Sequence, residues 1–111
     1  MPRGIELVAH RDIGPRHARP KFSIYAGGQR VGSVYQVNSG KMESWGWSLD
    51  GITVDPTVGV PTRGYADSIA SATYEMRAAV ERWLEWARAI PREDAKYSLL
   101  MLELMAIGPP P

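Results

Sequence analysis

Chemistry needs a nucleophile or a general base with a neighbour that tunes it, and this chain offers few of either. Its two histidines, His10 and His17, stand seven residues apart. That spacing matches no common zinc site, and no carboxylate cluster accompanies them. Cysteine is absent, which excludes thiol nucleophiles, disulfides and thiolate-held zinc. Asp50, Asp55 and Asp67 flank one glycine- and proline-rich stretch and could form an acidic cluster for general acid–base work or a divalent cation. Each also has a plain structural role: Asp50 precedes Gly51 in a turn, Asp55 precedes Pro56, and Asp67 stands where a helix would be capped. Gly27-Gly28-Gln29-Arg30-Val31-Gly32 has the glycines of a phosphate cradle, but it joins two strands where such a cradle must lead into a helix. The residues therefore read as non-enzymatic, with no cofactor and no metal.

Binding is better represented. Leu99–Ile107 is built from strong helix formers and has almost no polar face, only Lys96 and Glu103 sharing a polar sector. A helix that is apolar all round must be covered, by its own domain or by another chain. Leu100, Met101, Leu104, Met105 and Ile107, with Trp86 at the rim of the preceding helix, are the candidate partner-binding residues. The expectation is a binding or assembly protein that self-associates or docks a protein partner through this helix. Its inner half would be covered internally, with Leu100, Leu104 and Ile107 given to the partner.

Charge supplies an alternative. The net charge is +1, yet residues 1–41 carry seven basic residues against two acidic, and the remainder six against ten. Arg11, Arg16, Arg19 and Lys21 could neutralise phosphates, which would make the chain a nucleic-acid-binding protein using a basic arm and its sheet.

These residues need elements to hold them. Residues 1–20 read as a basic arm without apolar period, although Ile5-Glu6-Leu7-Val8-Ala9 has the types of a short strand. Residues 21–108 read as one β-β-β-α-α domain, and 109–111 as a proline tail. Phe22, Ile24 and Ala26 alternate with polar residues, and Gly27-Gly28 supplies a hairpin turn. Val31–Val37 follows with Val31, Ser33, Tyr35 and Val37 on one face, then Ser44–Leu49 with Trp45, Trp47 and Leu49 on one face. The fold class is α+β: a three-stranded antiparallel meander, then two α-helices, the first packed on the aromatic sheet face. Gly51–Gly64 reads mostly as loop, with Ile52-Thr53-Val54 as a strand candidate. Asp67 and Ser68 cap a helix whose stripe is Ile69, Thr73, Met76, Val80, Trp83, Ala87 and Ile90. Pro91 separates it from a second helix, Arg92–Ile107, closed by Gly108 and Pro109. Trp45, Trp47 and Trp83 read as core, while Tyr25 and Tyr74 point outward.

Val31-Gly32-Ser33-Val34-Tyr35, Trp45-Gly46-Trp47-Ser48-Leu49 and Gly64-Tyr65-Ala66-Asp67-Ser68 together form a pattern. The order resembles small uncharacterised bacterial proteins of alphaproteobacterial type, with a V-G-x-x-Y strand, a W-x-W strand and a G-x-A-x-S helix entry. The resemblance spans Phe22 to Trp86 and implies a β-β-β-α fold rather than an activity. That order is also similar to the arm-binding DNA domains of phage-type integrases, from which this chain departs in lacking a basic sheet face. No apolar run has the length of a signal peptide or a membrane span, so the expected location is cytoplasmic.

Overall fold

The computed structural model describes residues 6–12, 14, 19–39, 42–54, 59–89 and 98–107, with side chains described at all of these except 38, 39, 42, 43 and 98–101. The α+β class holds, but the sheet has five strands where the periodicity predicts three. They are β1 (Leu7–Arg11), β2 (Lys21–Ala26), β3 (Gln29–Ser39), β4 (Met42–Ser48) and β5 (Arg63–Ala66), all antiparallel and in sequence order across the sheet. Helices α1 (Ile69–Ala89) and α2 (Ser98–Ile107) follow.

Both additional strands lie at the edges. β1 comes from the segment read as an arm, and pairs with β2 from Leu7↔Ala26 to Arg11↔Phe22. Four of its five residues are exposed, so it has no apolar alternation to announce it. β5 is four residues long and falls where the sequence reads as loop running into a helix cap. Its Gly64 sits opposite Trp47. A β-carbon at Gly64 would stand 2.6 Å from Trp47 Nε1, so the indole needs a bare backbone beside it. The residue that weakens the strand signal is thus the one that admits the tryptophan.

The face expectations for β3 also need correction. The β2–β3 register shifts between Ile24 and Tyr25. Such a bulge re-aims one residue, and Val31 joins the core while Ser33 and Tyr35, alternating with buried Val34, lie on the other face. The core forms where α1 crosses the sheet: Ala72, Met76, Ala79, Val80, Trp83, Leu84 and Ala87 meet Ile24, Ala26, Val31, Val34 and Trp47. The stripe predicted from Met76 to Ala87 is buried, whereas Ile69 at its start is exposed and Ile90 lies outside the described residues. Ser68 caps α1, its hydroxyl accepting the Ser71 N–H at 3.1 Å. Ile52–Val54 adds no strand. Ile52 and Val54 instead pack against the core, and Thr53 takes part in the network described next.

Candidate functional site

Helix α2 carries most of the candidate residues, and its orientation reverses the sequence reading. Glu103, which shares with Lys96 the one polar sector of the helix, is 8% exposed. Its carboxylate accepts the Thr53 N–H on Oε2 at 3.1 Å and the Thr53 hydroxyl on Oε1 at 3.0 Å. The Thr53 carbonyl in turn accepts the indole N–H of Trp83 at 2.9 Å. A carboxylate is tolerated inside because its oxygens are hydrogen-bonded there. Leu104 and Ile107 pack against the core on the same side. Leu102 and Met105 are left outside, 63% and 78% exposed.

The helix is held at its far end too. Gly27, at φ +60°, turns the β2–β3 hairpin beneath the last turn of α2, and the Gly28 N–H donates to the Ala106 carbonyl at 2.9 Å. This satisfies one of the carbonyls that every helix end leaves over. A β-carbon at Gly27 would stand 2.6 Å from the Ile107 carbonyl oxygen, so the helix end and the turn fit only with glycine there.

The partner-binding candidates therefore separate. Leu104 and Ile107 serve the chain's own core, and Trp86 is half-buried against it. Met105 faces out, joined by Leu102, which the sequence reading did not single out. Leu100 and Met101 lie within α2, their side chains outside the described residues, as is Lys96 altogether. The signal for Leu102 was the apolar wheel itself; what it could not give was which way the wheel was turned.

The nucleic-acid candidates are dispersed. Arg11 and Lys21 are exposed on β1 and β2, and Arg19 is exposed just before β2. Arg11 lies opposite Phe22 on the face that α1 covers, whereas Lys21 lies opposite Tyr35 on the other face. Arg16, His17 and Asp55 lie outside the described residues. Asp50 accepts an ion pair from Arg30 at 2.9 Å, and Asp67 is exposed beside the α1 cap. Among the described residues no three His, Asp or Glu gather as a metal site.

The face of the sheet turned away from α1, which no described helix covers, holds the other polar assembly. One row, His10, Ser23, Ser33, Ser48 and Arg63, runs straight across all five strands. Beside it run Lys21, Tyr35, Gly46 and Tyr65. Arg30 reaches over the row, its Nε donating to the Ser23 hydroxyl at 3.4 Å and its Nη1 pairing with Asp50. His10 meets the Tyr25 ring edge-on, with centroids 5.2 Å apart. Tyr35 lies across Gly46, where a β-carbon would stand 2.5 Å from its Cε2, and Gly46 is paired in turn with Tyr65.

Burial, then the charge and hydrogen bond of the Tyr65 hydroxyl, push the Tyr35 phenol above its usual 10.0, against a smaller lowering pull from Arg63. Because the folded chain keeps this proton where the unfolded chain loses it, the contribution to stability is complete below pH 10.0 and is lost as pH rises through the folded value. Tyr35→Phe is accordingly expected to flatten the alkaline fall in melting temperature, and to remove a component of phenolate absorbance that titrates above 10.0. Identical alkaline profiles for the two proteins would contradict it.

No protein-family model, curated protein or solved structure matches the chain. Among the described residues no helix is long and apolar enough to cross a membrane.

Proposed function

We propose that this chain is a non-enzymatic assembly module that pairs with a second copy of itself through the outward face of α2. One observation carries the reading: the helix buries its only carboxylate and presents Leu102 and Met105 to solvent. A helix answering only to its own domain would do the opposite, because Glu103 outside and leucine inside avoids both the desolvation of a carboxylate and an exposed apolar patch. The occupant follows from the chemistry of the patch. Leu102 and Met105 are one helical turn apart and uncharged, so a two-fold pairing sets like against like with no charge to repel. Methionine's unbranched, polarizable side chain suits such a self-complementary seam.

Light scattering at micromolar concentration is expected to give a dimer for the natural chain. The double variant Leu102→Glu, Met105→Glu is expected to be monomeric, with unchanged circular dichroism and melting transition. Both side chains are exposed, so the substitutions leave the core intact. A natural chain that stays monomeric across the concentration range overturns the reading, as does a double variant that still dimerises.

A further inference from the structure

The face of the sheet turned away from α1 is not accounted for by pairing through α2. We propose that it is a binding site for single-stranded nucleic acid, with Tyr35 and Tyr65 as stacking platforms and Lys21, Arg30 and Arg63 along the path of the phosphates. Three independent observations support it.

The first is the aromatic arrangement. Tyr35 lies down on the sheet across Gly46, whose partner on the next strand is Tyr65, 63% exposed. A ring lying on a sheet offers its opposite face to solvent, and every base has a flat face to set against it. Close packing over Gly46 holds the Tyr35 ring in place before any ligand arrives, which lowers the ordering cost of binding.

The second is charge. Contrary to the expectation of a sheet without a basic face, Lys21, Arg30 and Arg63 all lie on this face, with Asp50 answering Arg30 and the Asp12 carboxylate taken up by Ser23. Arg30 is fixed by Asp50 and Ser23 through Nη1 and Nε, which leaves Nη2 without a partner among the described residues. Planar donors beside exposed rings are the combination that backbone phosphates between stacked bases require.

The third is Ser33, at the centre of the serine row. The residue is 2% exposed, yet its hydroxyl has no hydrogen-bond partner among the described residues. Flanking Ser23 and Ser48 share its face, and Ser23 already donates to Asp12 at 2.9 Å. No side-chain polar atom that is completely sealed lacks a partner among the described residues, so the Ser33 hydroxyl keeps an opening to this face. Buried hydroxyls are normally satisfied, and a phosphate oxygen or base edge seated between Arg30 and Arg63 would satisfy this one.

The assay is fluorescence anisotropy of labelled oligothymidine and oligouridine at low salt, with unlabelled duplex, heparin and a linear polysaccharide as competitors. The expected result is binding of the single strands, displaced by salt and only weakly by duplex. Tyr65→Ala removes an exposed ring without touching the core, and is expected to weaken binding about five- to 150-fold. Arg63→Ala is expected to lower the slope of log affinity against log salt by about one. Tyr35→Leu keeps Gly46 covered while losing the flat ring, and is expected to weaken binding as Tyr65→Ala does. No single-strand binding at low salt overturns the proposal. So does equal competition by heparin with no effect of the tyrosine variants, which would leave only a diffuse cationic surface. Displacement by the polysaccharide with no single-strand binding would assign the platform to sugars instead and overturn it as well.

Discussion

Replacing Trp83 with alanine is expected to lower stability by about 3–5 kcal/mol, the cost of a large aromatic removed from a closed core. The ring is completely buried, between α1 and the sheet. Domains are stable by only about 5–15 kcal/mol in total, so this one change takes a third of the margin or more. It acts twice, because the indole N–H is also the donor to the Thr53 carbonyl. Trp83→Phe separates the two losses: most of the volume stays and the hydrogen bond goes, so its cost should be clearly smaller. Denaturant melts followed by far-ultraviolet circular dichroism measure both. A Trp83→Ala midpoint equal to that of the natural chain would mean that α1 is not held as described.

The second large effect is expected at Glu103. Glu103→Ala leaves the Thr53 N–H facing an apolar gap, and a buried donor without a partner costs about 1–3 kcal/mol. Glu103→Gln retains one carbonyl oxygen in place of two carboxylate oxygens and should fall between alanine and the natural residue. With α2 turned the other way, Leu104 and Ile107 outward and Glu103 unpaired, either variant would change little, so the measurement distinguishes the two orientations of α2 outright. Thr53→Val should lose less than Glu103→Ala, since its N–H still has the carboxylate to donate to. In a double-mutant cycle the two positions should be non-additive, as members of one hydrogen-bonded unit are. Additivity would show that the carboxylate and the threonine act separately.

The contrast at Glu103 shows what the sequence carried and what it did not. Elements with a long period were legible: the Lys21–Ala26 strand and its Gly27-Gly28 turn, the W-x-W strand, and the α1 stripe from Met76 to Ala87 all stand as their spacing requires. Edge strands were not, because β1 has only exposed residues after Leu7 and β5 has a glycine in its second position. An edge strand is specified by its neighbour's free hydrogen-bonding groups, which are absent from its own pattern. The orientation of α2 was illegible for a different reason. Its apolar residues point in every direction, so no moment favours one side, and the decision passes to distant partners, Thr53 at Glu103 and Gly28 at Ala106. The tyrosine pair was hidden in the same way. Tyr35 and Tyr65 belong to strands that are not neighbours, and only a glycine in the strand between them lets the Tyr35 ring lie across it toward Tyr65.

The turn at Gly27-Gly28 bears on the order in which the molecule can be made. Each strand pairs with the one before it, so a chain emerging from its N-terminal end always finds its template already laid down. Such local pairing keeps loop-closure entropy low and assembly fast. Helix α2 breaks this pattern, since the Gly28–Ala106 bond joins the first tight hairpin to the last helix. The chain is thus a zipper with one clasp. The clasp can shut only once α2 has been made, and until then the hairpin turn waits with its amide in water.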